Sequence, residues 1–165
     1  MAALTADTLA PDFTLPTISG SPFHLREALS HGPVLAVFFK ISCPVCQYAL
    51  PFVERIYKAY GSAKTTIVGI SQNDPKATAA FLAEYGISFP VLLEHRTTYA
   101  VSNAYGLTNV PTMFWIGTDG NIEISSVGWS RQEFEEMNRK ASSNTGEAAA
   151  RIFRPEEQIA DFRAG

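Results

Sequence analysis

The chain has 165 residues, of which 46% are hydrophobic and 18% are charged, and its formal net charge is −3. This length and composition predict one folded domain with a short appendage and exclude a largely disordered chain. The weak negative charge offers no attraction for nucleic acid, and no apolar run is long enough to span a bilayer.

The first third of the chain predicts a hairpin, a buried strand and a long helix. Turn residues between short alternating segments at 12–25 indicate a β-hairpin. Residues 34–39 are wholly apolar, which is typical of a central strand covered on both faces. A helical pattern then runs to Tyr60, with Pro44 in its first turn and Gly61 directly after it.

Strands and helices continue to alternate after this helix. The predicted elements are a strand at 65–71, a helix at 75–85, a strand at 90–93, a helix at 98–105, strands at 110–116 and 121–127, and a helix from 130 to about 140. This order predicts an α/β fold with a mixed sheet that carries helices on both faces.

Residues 141–165 are predicted to form a helical C-terminal tail outside the domain at 1–140. A polar break at 142–146 precedes two short helical patterns, at 147–153 and 155–162. We expect the tail to pack on the domain or to bridge to a second copy, so the chain is expected to be a monomer or a weak homodimer.

Cys43 and Cys46 are the two cysteines of the chain, and they begin the helix that follows the buried strand. Unpaired backbone N–H groups and the helix dipole favour the thiolate form of Cys43. Cys46 lies almost one turn further on the same helix face, within bonding reach but deeper. The pair predicts disulfide exchange: Cys43 attacks a protein disulfide, Cys46 resolves the mixed disulfide, and an external thiol reductant reopens the Cys43–Cys46 bond.

Two other readings of the cysteine pair remain open. The cysteines could be ordinary buried residues, or two ligands of a zinc ion. A structural zinc site needs four ligands, and His24, His31 and His95 form no close pair. The sequence also contains no phosphate-binding or dinucleotide-binding motif, so no metal and no cofactor are expected.

Several motifs beyond the cysteines resemble one family. They are Ala10-Pro11-Asp12-Phe13, Cys43-Pro44-Val45-Cys46 with Pro51, Tyr105-Gly106-Leu107, Val110-Pro111-Thr112, and Phe114-Trp115-Ile116 with Asp119-Gly120. With them, residues 10–140 resemble the thioredoxin-fold superfamily, in its redoxin branch. That branch includes thioredoxin-like reductases of the cytochrome-c-maturation type and the alkyl hydroperoxide reductase/thiol-specific antioxidant (AhpC/TSA) proteins.

The resemblance implies a thioredoxin-like three-layer fold and a thiol-disulfide oxidoreductase activity. It also implies a cis peptide bond between Val110 and Pro111 that faces the cysteines; a trans proline at a strand edge is the alternative. Val110 and Pro111, together with Pro44, are then expected to contact an extended substrate peptide by strand addition.

The chain departs from the thioredoxin pattern around the second cysteine. Val37 stands where thioredoxins carry a buried Asp, and Ala49 stands where the cytochrome-maturation type often carries a Glu. Cys46 therefore lacks an obvious proton acceptor. Lys40 and Glu54 are the nearest candidates along the chain, and each is expected to be a solvated surface charge.

Two further functions stay as alternatives to disulfide exchange. A thiol peroxidase of the AhpC/TSA type needs Thr or Ser where this chain has Lys40, Pro where it has Ala36, and Arg near Pro111. A redox sensor or partner-binding module would form the disulfide without turnover.

The first residues contain neither a basic segment nor an apolar one, which a secretory signal would have. We therefore expect a cytoplasmic location, or a periplasmic one if a leader has been removed.

Overall fold

A five-stranded mixed sheet forms the centre of the computed structural model, which describes residues 2–61 and 64–165. The strands are β1 (Thr14–Pro16), β2 (Pro22–His24), β3 (Val34–Phe39), β4 (Thr66–Ser71), β5 (Val91–Leu93), β6 (Thr112–Ile116), β7 (Ile122–Val127), β8 (Trp129–Ser130) and β9 (Phe162–Arg163). The helices are α1 (Leu25–Leu29), α2 (Pro44–Tyr60), α3 (Pro75–Tyr85), α4 (Ala100–Ala104) and α5 (Arg131–Thr145).

The sheet has the order β5-β4-β3-β6-β7. Strand β3 is parallel to β4, and β4 is parallel to β5, whereas β6 is antiparallel to both β3 and β7. Strands β1 and β2 form the predicted N-terminal hairpin. The predicted mixed sheet is therefore confirmed.

Helices and loops cover both faces of the sheet, and every residue of β3 is buried. Leu35 and Val37 point into one apolar cluster, which α2 and α5 also enter. Ala36 and Phe38 point into a second cluster on the opposite face, where Leu25 of α1 packs. This alternation places the sheet between two cores, so the three-layer architecture is confirmed.

The tail differs from its prediction. Helix α5 continues to Thr145, beyond the predicted end near 140, and residues 147–165, all of them described, contain no helix. The two predicted tail helices, at 147–153 and 155–162, are therefore wrong. The tail is an extended segment that packs along α2 and α5 of its own domain, and its last part forms β9 beside β8.

Side chains of α2 hold the tail in its extended form. The hydroxyl of Tyr60 accepts a hydrogen bond from the main-chain N–H of Ala150 at 2.8 Å, and the hydroxyl of Tyr48 accepts one from Ala160 at 3.1 Å. These partners satisfy main-chain donors that a helix would otherwise pair internally. Helical patterning was too weak to outweigh such long-range contacts.

Candidate active site

Cys43 is placed at the junction between the loop after β3 and the first turn of α2. It is the N-cap residue of α2, and its sulfur accepts a hydrogen bond from the main-chain N–H of Cys46 at 3.2 Å. The side chain is half-buried, and Pro44 beside it is exposed. The sulfur thus lies at the amino end of α2, beside the main chain of its first turn.

Cys46 lies one turn deeper and is completely buried, and both cysteines are free thiols. Burial raises the pKa of Cys46 well above its usual range, and its hydrogen bond with Cys43 adds to the effect. The main chain and the charge of Lys40 act against this increase. The predicted asymmetry between an accessible first cysteine and a deeper second one is therefore present in the structure.

The peptide bond between Val110 and Pro111 is cis, as the family resemblance implied. The main-chain oxygen of Val110 lies 3.4 Å from the Cys43 sulfur and accepts its S–H. Val110 is half-buried, whereas Pro111 is buried, so Val110 is the more accessible of the two. The carbonyl of Pro111 accepts a hydrogen bond from Gly128 at 2.8 Å, which brings the loop between β7 and β8 to the same place.

Two side chains that the sequence did not single out position the loop before Cys43. The side-chain oxygen of Asn73 accepts from the main-chain N–H of Ile41 at 2.9 Å. The side-chain amide of Gln47 donates to the Ile41 carbonyl at the same distance. Asn73 lies between two predicted elements and Gln47 lies within a predicted helix, and both are common polar residues, so no sequence pattern marks this role without the fold.

The two proposed proton acceptors behave differently. Lys40 is exposed, as predicted. Glu54 is buried, and its carboxylate accepts hydrogen bonds from the main-chain N–H groups of Ser88 and Phe89 and from the Ser88 hydroxyl. The prediction of a solvated charge is therefore wrong for Glu54, because this carboxylate caps the segment that leads into β5.

Val37 and Ala49 are fully buried in the apolar cluster around α2. At the two positions where the family resemblance implied a carboxylate, this chain therefore supplies hydrocarbon. This arrangement agrees with the high pKa of Cys46, since burial among apolar side chains disfavours the thiolate.

A cavity of about 240 Å³ lies between Lys40 and Val110 and includes Leu107 and Asn109 in its wall, so it adjoins the residue whose carbonyl contacts Cys43. Its wall mixes polar and apolar groups. No cluster of three or more His, Cys, Asp or Glu side chains suited to a metal ion occurs in residues 2–61 and 64–165.

Comparison with known proteins places this geometry in a family. The model of the AhpC/TSA family matches residues 6–125. The chain belongs to the AhpC/TSA family. Its predicted redoxin relationship is thereby confirmed.

Two similar proteins are named as thiol-disulfide oxidoreductases. Thiol-disulfide oxidoreductase ResA of Halalkalibacterium halodurans is 31% identical over 130 residues, which are 78% of this chain and 72% of that protein. ResA of Geobacillus thermodenitrificans is 27% identical over 132 residues, 79% of this chain and 74% of that protein. These relatives confirm the predicted enzyme class, a thiol-disulfide oxidoreductase.

Solved structures agree on the fold. A thiol:disulfide interchange protein of the thioredoxin family from Chlorobium tepidum has a TM-score of 0.68 at 26% identity, covering 86% of this chain and 99% of that one. The thioredoxin domain of a thiol-disulfide oxidoreductase from Bacteroides vulgatus has a TM-score of 0.74 at 18% identity, covering 84% and 98%. The thioredoxin-like fold is therefore confirmed. Within the described part of the chain, no helix has both the length and the apolar character that crossing a membrane requires.

Proposed function

We propose that this chain exchanges disulfides with protein substrates, with Cys43 as the nucleophile and Cys46 as the resolving thiol. The observation that carries the proposal is the position of the Cys43 sulfur, half-buried at the helix start and 3.2 Å from the Cys46 N–H. Cys46 is fully buried behind it and can reach a substrate only through Cys43.

The first step forms a mixed disulfide. The Cys43 thiolate attacks one sulfur of a substrate disulfide, the substrate S–S bond breaks, and the other substrate sulfur leaves as a thiolate. The second step regenerates free substrate. The Cys46 thiolate attacks the Cys43 sulfur, releases the remaining substrate thiolate and forms the Cys43–Cys46 disulfide. The substrate gains two electrons, which an external dithiol must return to the pair.

The causes of the high Cys46 pKa give this order a physical basis. Part of the increase comes from the hydrogen bond and the charge of Cys43. Both disappear once the Cys43 sulfur is covalently bound to a substrate. Burial still disfavours the Cys46 thiolate, but the opposing charge of Lys40 remains, so Cys46 loses its proton more easily at the step that needs it.

Val110 and Pro44 are proposed to contact the substrate, with Pro111 holding Val110 in place. The Val110 carbonyl lies beside the reactive sulfur, and Pro44 is exposed next to it. A peptide in an extended conformation can pair with the main chain of Val110 while its disulfide faces Cys43.

The experiment that tests the role of each cysteine uses single substitutions. Cys46→Ser should accumulate a stable mixed disulfide with a protein substrate, because the second step is blocked. Cys43→Ser should form none, because the buried thiol cannot reach the substrate. Non-reducing electrophoresis and mass spectrometry after mixing with oxidised insulin measure both. Trapping by Cys43→Ser alone would reverse the two roles.

Turnover separates the enzyme from a sensor and from a peroxidase. With dithiothreitol as the external dithiol, catalytic amounts of the chain should reduce many equivalents of insulin. One equivalent only would indicate a redox sensor. Faster consumption of hydrogen peroxide than of insulin disulfide would indicate a peroxidase, although Lys40 and Ala36 occupy the positions of its Thr or Ser and its Pro.

The compartment and the oligomeric state remain predictions of the sequence. Cell fractionation with the natural gene product tests the cytoplasmic location against a periplasmic one. Light scattering across a concentration series tests the predicted monomer or weak homodimer.

A further inference from the structure

The last residues of the tail lie on the face where the substrate is proposed to bind. Strand β9 pairs antiparallel with β8, with Trp129 opposite Arg163 and Ser130 opposite Phe162. The side-chain amide of Asn109, which neighbours Val110, donates to the main-chain oxygen of Gly165 at 3.2 Å. The tail thus reaches from the apolar cluster around α2 and α5 to the loop that carries Val110.

Two glycines show how closely the tail approaches this loop. A Cβ atom on Gly165 would lie 2.4 Å from the Val110 oxygen, which is the atom that accepts the hydrogen bond of the Cys43 thiol. A Cβ atom on Gly128 would lie 2.4 Å from the Arg163 oxygen and 3.0 Å from the Gly165 nitrogen. Main-chain atoms of the tail therefore lie directly against main-chain atoms of the loops around Val110 and Gly128. The carbonyl of Val110 in turn contacts the Cys43 sulfur.

We propose that residues 162–165 occupy the place of an extended substrate strand and must leave before a protein substrate can pair with Val110. This inference rests on the proposed function, because it concerns access to the same cysteine. The tail then acts as an internal competitor: it lowers the rate with protein disulfides, whereas a small disulfide that needs no strand pairing reaches Cys43 past it.

The contacts of the tail divide it into an anchored part and a releasable end. Upstream, the indole N–H of Trp129 donates to the Ala160 carbonyl at 2.8 Å, and the Arg131 N–H donates to the Asp161 carbonyl at 2.9 Å. Residues 162–165 are all exposed, and Phe162 leaves 63% of its surface in water. This end can open locally while the anchored part stays in place.

The end is held by few contacts, which suits a reversible block. Besides the two-residue strand and the Asn109 contact, the guanidinium of Arg163 lies over the Tyr48 ring at 4.1 Å from its centroid. Cation–π contacts at exposed sites are weak. A substrate peptide supplies equivalent strand hydrogen bonds and can therefore replace the tail end.

The test compares the full chain with a chain that ends at Asp161. This truncation keeps the bonds of Trp129 and Arg131 to the anchored tail, so the domain should stay folded, with a denaturant midpoint only slightly below that of the full chain. Without residues 162–165, kcat/KM for insulin should rise by about fivefold or more, which corresponds to the loss of roughly one ordinary hydrogen bond of competition. The rate with 5,5′-dithiobis(2-nitrobenzoate), a small disulfide, should change by less than about twofold.

A second variant separates displacement of the tail from its removal. Gly165→Ala places a methyl group against the Val110 main chain, so the tail end must shift away, and insulin reduction should rise in the same direction. Ala148→Ser also adds one heavy atom, at an exposed tail position, and serves as the matched control with unchanged rates.

The outcomes distinguish failure of the proposed function from failure of the competition by the tail. If neither the full nor the shortened chain reduces insulin catalytically, the proposed function fails. If both do so at equal rates, the function stands and the tail is no competitor. If truncation lowers the rate, the tail forms part of the substrate surface, which also overturns the inference.

Discussion

Replacing Glu54 tests whether this buried carboxylate holds the fold or serves Cys46. It accepts hydrogen bonds from the Ser88 N–H at 2.8 Å and the Phe89 N–H at 3.1 Å, and also from the Ser88 hydroxyl. Glu54→Ala leaves the buried Phe89 N–H without its partner, which costs about 1–3 kcal/mol, and removes two hydrogen bonds from the exposed Ser88, each worth about 0.5–1.5 kcal/mol. We expect the free energy of unfolding to fall by about 3–5 kcal/mol and the melting temperature by about 10 °C.

Guanidinium unfolding followed by circular dichroism measures this change. Glu54→Gln keeps one acceptor oxygen and should lose only about 1–2 kcal/mol. The control is Glu84→Ala, at an exposed position of α3, which should stay within about 0.5 kcal/mol of the parent. A loss below about 1 kcal/mol for Glu54→Ala would refute the capping role.

The same variants test the chemical role. If Glu54→Gln folds normally but resolves mixed disulfides at least about tenfold more slowly, Glu54 is the proton acceptor of Cys46 and the reasoning from its hydrogen bonds is wrong. We expect the resolution rate of this variant to match that of the parent, measured by quenching single turnovers with acid.

Two further predictions concern the anchoring of the tail. Tyr60→Phe removes the hydroxyl that donates to Asn138 and accepts from Ala150, so the free energy of unfolding should fall by about 1–3 kcal/mol in denaturant titrations; no loss would mean that these bonds form only weakly. Hydrogen bonds from Arg55 lower the pKa of Glu157 to about 2, below its ordinary value near 4.5, so the stabilisation by this pair is complete above the ordinary value and is lost as the pH falls towards 2. The stability difference between the parent and Glu157→Gln should therefore shrink over this interval, and a difference independent of pH would contradict the assignment.

Much of the fold could be predicted because local signals and burial agree. The apolar run at 34–39 becomes the fully buried β3, and Asp74 caps α3 by accepting from the Ala77 N–H at 2.8 Å. The difference in exposure between the two cysteines could be predicted, because Cys43 begins the helix and Cys46 lies one turn deeper on the same face. The cis bond at Val110 came from the family resemblance and from no local rule.

The tail and Glu54 could not be predicted because their partners are far away along the chain. Arg55 donates to Glu157 across 102 positions, and the Tyr48 hydroxyl reaches Ala160 across 112. No window of sequence contains both members of such a pair. Weak helical patterning in the tail predicts a helix, and the charge of Glu54 predicts exposure to solvent. The long-range contacts override both predictions.

The approach of main chain to main chain around Gly128 bears on which proteins this enzyme can accept. Gly128 has a φ of +75° and donates to the Pro111 carbonyl at 2.8 Å. A surface built from peptide groups does not distinguish one residue type from another, since every polypeptide offers the same main-chain groups. Where a substrate strand replaces the tail, we expect selectivity among protein substrates to come from contacts with exposed side chains such as Pro44 and Lys40.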